Sequence, residues 1–420
     1  MTSDSSRLSP AFARILALLF LSVVINYIDR SNLSIAAPLI KDELGISASQ
    51  LGILLSAFFW TYSACQLLSG WLVDHYDVKW VFAAGFLLWS SATAITGMVH
   101  TLLALLLVRI VLGVGESVAY PGYSKILAVH CQEGRRGFAN ALIASGLALG
   151  PSFGLLFGGT LVAHVGWRPF FIGLGLVSLL WLIPWVRWMP TTDMATLAGN
   201  RKSGPGMREI LGQRSAWGTC VGLFFANYFL YFMVTWLPFY LVRERHLSMT
   251  AMAKIGGGFF LAAALSASIC GWLSDRWILS GSRPTFVRKT FMVCGGVSAG
   301  IFLLACVLAP LGWSIAFLML TGASFGLTSS NMWAITQTLA GSQAVGRWCG
   351  LQLFVGNSSG VVAPAVAGFL LDRTGHFFWP FLIVSLCLWL GALTWIFIVG
   401  PIEPVDWTAK KRRLEPVYAV

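Results

Sequence analysis

Charge is what this sequence has least of. Only 10% of its 420 residues are charged, and acidic residues number 16 against 28 basic ones. A soluble domain carries about 25% charged residues, so this chain has far too little polar surface to face water all round. The eight cysteines form no CxxC pair and no Cys/His metal spacing, and they fall mostly inside apolar runs. They read as small apolar packing residues, with no disulfide framework, metal site or cofactor expected. The six histidines lie in or near loops and form no HExxH pattern. The glycine pairs and triplets (Gly295-Gly296, Gly256-Gly257-Gly258, Gly356 to Gly360) lack a GxxxxGK[ST] context and are not phosphate loops. Intramembrane catalysis has no nucleophile, base or metal cluster to work with, and an enzyme or sensor reading is set aside. No cleavable leader is expected: the first apolar run is too long and has no small-residue cleavage site.

What is abundant is apolar length. Hydrophobic residues make up 57% and mean hydropathy is +0.77. A bilayer core of about 30 Å needs roughly 20 apolar residues per helix. Such runs occur near 13–36, 50–73, 79–99, 102–125, 137–163, 168–189, 215–241, 252–277, 288–309, 312–337, 346–371 and 376–400. The expected fold is an all-α membrane protein of twelve transmembrane helices.

The basic residues set the orientation. With the N-terminus inside, twenty Lys and Arg fall in cytoplasmic segments and six (Lys41, Arg168, Arg243, Arg245, Lys254, Arg373) on the opposite side. That asymmetry places both termini in the cytoplasm and the chain in the inner (plasma) membrane. It also explains the net charge of +12 without a nucleic-acid partner.

The longest polar stretch, 191–214, divides six spans from six: 1–190 and 215–420 are the expected bundles, with a short amphipathic helix near Met207–Gln213 in the linker. An internal repeat supports the division. Gly70-Trp-Leu-Val-Asp74 returns as Gly271-Trp-Leu-Ser-Asp275, each after the second span of its half. Repeated halves around a central site are a common transporter architecture.

A charge in mid-span costs about 2.5–3.5 kcal/mol or more, which makes four residues candidates: Asp29 and Arg30 in span 1, Arg109 and Glu116 in span 4. Asp29 and Arg30 point about 100° apart on a helix, so one can face a cavity while the other faces a neighbouring helix. Arg30 has the planar fork that clamps an oxyanion. Glu116, in a partly dry cavity, is suited to take a proton when an anion enters; a permanent pair with an arginine is the bland alternative. Arg109 stands two turns from Glu116 on nearly one face and reads as a structural charge or modulator. Gly113 and Gly115 between them permit close helix approach. Asp74, Asp275 and Arg276 at cytoplasmic helix ends are candidate gating charges. Tyr62, Asn227, Tyr231, Trp333 and Asn357 lie at mid-depth and are candidates for lining a substrate cavity.

Taken together, Asn26-Tyr-Ile-Asp-Arg-Ser-Asn32, the Gly-Trp-Leu-Val-Asp loop, Arg109-Ile-Val-Leu-Gly-Val-Gly-Glu116 with Pro121, Gly166-Trp-Arg168 and Thr235-Trp-Leu-Pro238 resemble the anion:cation symporters of the major facilitator superfamily over nearly the whole chain. The resemblance implies two six-helix bundles, alternating access, and proton-coupled import of a small organic anion by a monomer. In bacteria the anion is typically a sugar acid such as galactonate, glucarate or a hexuronate. By this resemblance Asp29 and Glu116 match proton-coupling carboxylates, Arg30 and Tyr62 substrate-binding positions, and Trp333 and Asn357 second-half contacts. Two departures stand out. Asp77 occupies a position where glycine is common, and the apolar span 5 has no counterpart of a glutamine frequent in sugar-acid carriers. The second leaves room for an aromatic or other carboxylate. An anion exchanger is the other alternative, disfavoured because such carriers need an arginine from each half and the second half has no intramembrane Arg or Lys by these spans.

Overall fold

In hydrocarbon a backbone N–H or C=O has no water to bond, so an apolar run must satisfy its own ladder, and the helix does this within one segment. The computed structural model describes residues 10–130, 136–191 and 205–407, and among them helix is the only regular structure. In chain order the helices are α1 (Pro10–Leu44), α2 (Ala48–His75), α3 (Val78–Thr96), α4 (Leu102–Glu116), α5 (Ala119–His130), α6 (Arg136–Phe153), α7 (Gly159–Val165), α8 (Trp167–Leu179), α9 (Leu182–Trp188) and α10 (Met207–Leu211). There follow α11 (Arg214–Arg243), α12 (Met249–Leu279) and α13 (Pro284–Leu308). The stretch from Leu311 to Thr374 breaks at Gly341, whose φ of 64° suits glycine, giving α14 (Leu311–Gly341) and α15 (Ala344–Thr374). The last helix is α16 (Phe378–Phe397).

Among the described residues, ten helical segments are long and apolar enough to cross a membrane. Their outward faces carry large apolar side chains in the open, among them Leu103, Val177, Trp313 and Phe397, each about two-thirds exposed. A surface of that kind has a bilayer as its solvent. The α6 segment continues through a π-helical turn at Gly154–Gly158 into α7. The linker helix expected near Met207–Gln213 is α10.

Helix starts follow local capping rules. Ser47 and Gln50 form a reciprocal capping box at α2, Thr101 caps α4, and Ser248 caps α12. Asp77, the residue in place of the common glycine, is the N-cap of α3; its carboxylate accepts from the Lys79 N–H at 3.0 Å. The Gly-Trp-Arg motif also finds a local explanation. Trp167 Nε1 donates to Glu43 (2.7 Å), and Arg168 donates to Glu43 and to the carbonyls of Gly97 and Val99. It ties the ends of α1, α3 and α8 together.

The buried apolar residues form two clusters. One is drawn from positions 12–189, chiefly near the Phe12 and Val73 ends of α1 and α2, with Tyr231 the single member from beyond the linker. The other joins Leu33 to Ile40 of α1, Ile46, and Ala48 to Leu55 of α2 with residues of α11 to α16. The segments before and after the linker are thus fused at the Leu44/Ala48 end. Polar contacts reinforce that end. The Asp372 carboxylate, at the end of α15, accepts from the backbone N–H groups of Ala48 (2.8 Å) and Ser49 (2.6 Å) at the start of α2. Arg243 donates to the Pro38 carbonyl (3.1 Å) and pairs with Asp42. Close approach of α2 and α15 needs glycine at Gly52, where a Cβ would stand 2.5 Å from the Pro364 carbonyl oxygen.

Asp372 therefore supplements the Ser47 cap of α2 from 324 residues away. Asp372→Ala is expected to cost about 0.5–2 kcal/mol, the usual value of a cap, read as a lower thermal unfolding midpoint in detergent. Asp372→Asn, which keeps one acceptor oxygen, should fall between the two.

Candidate functional site

The site begins with the face of α1 that carries Tyr27 and Arg30, three residues apart and therefore neighbours on the helix surface. Arg30 Nε donates to Glu116 Oε2 at 2.9 Å. The arginine side chain is 7% exposed and the glutamate 0%. The guanidinium lies against three rings, Tyr62 at 4.3 Å, Tyr27 at 4.9 Å and Phe58 at 5.3 Å from their centroids. Each such contact contributes about 0.5–2 kcal/mol when desolvated. Phe58 and Tyr62 are themselves stacked. Arg30 Nη2 and Glu116 Oε1 make no hydrogen bond among the described residues. The pair therefore keeps a free donor on one partner and a free acceptor on the other.

Glycine brings the two charges together. At Gly113 a Cβ would collide with the Phe58 carbonyl and the Thr61 hydroxyl, and at Gly115 it would lie 2.8 Å from the Trp89 nitrogen. Any larger residue would push α4 off α2 and α3 and carry Glu116 away from Arg30.

Asp29, one residue before Arg30, turns to a different side. It is 2% exposed, and its Oδ1 accepts from Asn32 Nδ2 at 3.3 Å. Arg109 of α4 is also buried, at 4% exposure. It makes no ion pair within bonding distance among the described residues, and its charge acts on both Asp29 and Glu116. Two positive and two negative side chains thus share one buried region.

From beyond the linker, Tyr231 of α11 donates its hydroxyl to Asn357 Oδ1 of α15 at 2.7 Å, and Asn357 Nδ2 donates to Gln66 Oε1 of α2 at 3.4 Å. The Tyr231 ring packs on Phe59, 4.3 Å between centroids, and lies within the electrostatic reach of Arg30. Asn227 stands beside Gly356, where an added Cβ would be 3.1 Å from its Nδ2. The structure thus gathers Asp29, Arg30, Tyr62, Arg109, Glu116, Tyr231 and Asn357 about one centre, with Asn227 at its edge. Trp333 packs half-buried against the larger apolar core and has no ring or hydrogen-bond contact with the Arg30 group among the described residues.

The proposed gating charges lie apart. Asp275 pairs with Arg288 at 3.6 Å, and Arg276 lies over the Trp272 ring. The Asp74 side chain falls outside the described residues. Sequence reasoning missed Tyr27, Phe58, Gln66 and Tyr120, whose hydroxyl meets that of Tyr27 at 3.2 Å. A signal existed: Phe58, Tyr62 and Gln66 follow one another at i+4, on one face of α2. A small crevice bounded by Gly222, Met292, Phe325 and Trp395 is mainly apolar and includes none of these residues. No group of three or more His, Cys, Asp or Glu with metal-ligand geometry occurs among the described residues.

Residues 19–364 match the model of the Major Facilitator Superfamily. The chain is 31% identical to the probable sulfoacetate transporter SauU of Cupriavidus necator, covering 93% of this chain and 94% of that one. It is 29% identical to the hexuronate transporter of Bacillus subtilis (92% and 94%) and 27% identical to the D-galactonate transporter of Escherichia coli (93% and 96%). The solved structure of a bacterial homologue of the human lysosomal transporter Spinster, inward-facing and occupied, superposes with a TM-score of 0.80 over 93% of this chain and 97% of that one, at 15% identity.

Removing one partner of a buried ion pair leaves an uncompensated charge, which costs about 3–5 kcal/mol. Arg30→Met should therefore lower the unfolding midpoint in detergent sharply. Arg30→Met combined with Glu116→Gln, which removes both charges, should recover most of the loss.

Proposed function

Because the chain belongs to the major facilitator superfamily, we propose that it is a proton-coupled symporter that imports a small organic anion by alternating access, a sugar acid such as galactonate, glucarate or a hexuronate fitting best. The observation that carries this reading is the buried Arg30–Glu116 pair with its unpartnered Nη2 and Oε1. The ten candidate spans, together with α2 and the α6–α7 segment, make up twelve crossings. They form two six-helix bundles, 1–190 and 215–420, joined by the cytoplasmic linker 191–214, in a monomer of the inner membrane with both termini inside. In that orientation the fused Leu44/Ala48 end faces outward, and the site opens inward.

The mechanism follows from charge balance. In the empty site Arg30 is neutralised by Glu116. An incoming carboxylate competes for the guanidinium, whose fork binds two oxygens at once. Glu116, released from its counter-charge in a low-dielectric setting, takes a proton. Anion and proton then enter as a nearly neutral pair. Asp29, balanced by Arg109, is the second proton-coupling carboxylate, and Arg109 tunes both acids. Tyr62, Asn227, Tyr231 and Asn357 receive the body of the anion, with Trp333 a more distant wall. Asp74, Asp275 and Arg276 belong to the inner gate, which makes its contacts when the outer end opens. A second reading has its own support: the three rings around Arg30 also suit a planar, aromatic carboxylate.

In proteoliposomes, acidifying the outside should raise uptake of the anion, since the proton runs inward with it. Glu116→Gln should keep counterflow exchange of labelled anion while losing accumulation driven by a pH gradient. Undiminished uphill uptake by that variant would refute the proton-coupling role.

A further inference from the structure

We infer that Gln66 is a specificity-determining residue of this site, reading a hydroxyl at the uncharged end of the anion. The inference rests on the anion-symport reading above. Gln66 is the one amide side chain between Leu51 and Leu68 of α2, a mostly apolar run whose other polar groups are the hydroxyls of Ser56, Thr61, Tyr62 and Ser63. An amide there is costly unless it is hydrogen-bonded. Its partner comes from the opposite half: Asn357 Nδ2 donates to Gln66 Oε1, and the Tyr231 hydroxyl donates to Asn357 Oδ1. The chain of bonds has a direction. It consumes the glutamine oxygen and leaves the half-buried Gln66 NH₂ group with no acceptor among the described residues. The two links are unequal. The Tyr231–Asn357 bond is short at 2.7 Å, while the Asn357–Gln66 bond is long at 3.4 Å, beyond the usual 2.7–3.2 Å range. The long link is the one that gives way.

A hydroxyl is donor and acceptor at once. Placed between Asn357 and Gln66, it would accept from the Asn357 NH₂ or the Gln66 NH₂ and donate to Gln66 Oε1, replacing one poor bond by two good ones. The register along α2 sets the reach. Arg30 lies on the Tyr62 ring, and Gln66 is one turn further along the same face, about 6 Å at 1.5 Å per residue. That distance matches the length of an extended six-carbon chain with its acid on Arg30. A two-carbon acid held by Arg30 does not extend to Gln66. Because Gln66 and Asn357 belong to opposite halves, a hydroxyl bound between them also ties substrate occupancy to closure of the halves around it.

The test uses the full-length protein in detergent, with calorimetric dissociation constants for D-galactonate, D-glucuronate and hexanoate, the last having the same carbon count and no hydroxyl. Wild type should bind at least one of the hydroxy acids more tightly than hexanoate. Gln66→Leu should weaken that hydroxy acid about tenfold, the value of one or two net hydrogen bonds, and leave hexanoate unchanged. Gln66→Met, similar in volume, repeats the measurement should the leucine variant fail to fold. Arg30→Lys should weaken all three anions. If the Gln66 variants leave the ratio of hydroxy acid to hexanoate as in wild type, or wild type prefers hexanoate, the role of Gln66 is overturned while anion binding stands. If wild type binds none of the three, the sugar-acid reading falls, and the role of Gln66 with it.

Discussion

An arginine and a glutamate held 2.9 Å apart in a water-poor interior are the constraint around which this molecule is arranged. Each charge alone would be prohibitive in lipid. Together, with three rings stacked about the guanidinium, they are tolerable. Holding them together dictates the surroundings. Gly113 and Gly115 let α4 seat against α2 and α3. The same seating carries Arg109 to where its charge reaches both Asp29 and Glu116. The outcome is a region of two positive and two negative side chains that is balanced as it stands and unbalanced by one added anion.

Geometry differs at the two ends of the helices. At the Leu44/Ala48 end a continuous apolar core runs from α1 and α2 into α11 to α16. The Asp372 cap on α2 and the Arg243 contacts to α1 close it further. Towards Phe12 and Val73 the residues before the linker have their own core, with Tyr231 its one buried member from beyond the linker. The solved inward-facing structure that this chain superposes on has the same overall fold. Polar contacts at that end are individually modest, the Asp372 and Arg243 bonds to backbone groups and the Arg243–Asp42 ion pair, the kind of contact that can be exchanged without unfolding a helix.

Legibility in the sequence tracked the cost of burial. Asp29, Arg30, Arg109 and Glu116 stood out because charge inside an apolar run is expensive wherever the helix ends up. The separation of Asp29 from Arg30 followed from 100° per residue. The capping role of Asp77 was visible only as a departure from a motif, and it became a local helix start once α3 was drawn. Partners across helices were a different matter. Nothing in α1 indicates that Arg30 meets a residue 86 positions away, that Asp275 meets Arg288 rather than a charge on its own helix, or that Asp372 caps a helix 324 residues back. Gln66 was passed over because a single neutral amide carries little penalty in a pattern, though its i+4 relation to Tyr62 was there to be read.

The sequence by itself determined that the chain is helical, where the apolar helices run and which side chains are too costly to be incidental. These are properties of single segments: apolar length, 3.6-residue periodicity and the desolvation of one charge at a time. The tertiary structure alone decided which charges neutralise one another, which rings stack on Arg30, and which end of the molecule is shut. Those outcomes depend on the crossing distances of helices far apart in the chain, which are set by packing at positions such as Gly52 and Gly113 that have no side chain of their own to announce it.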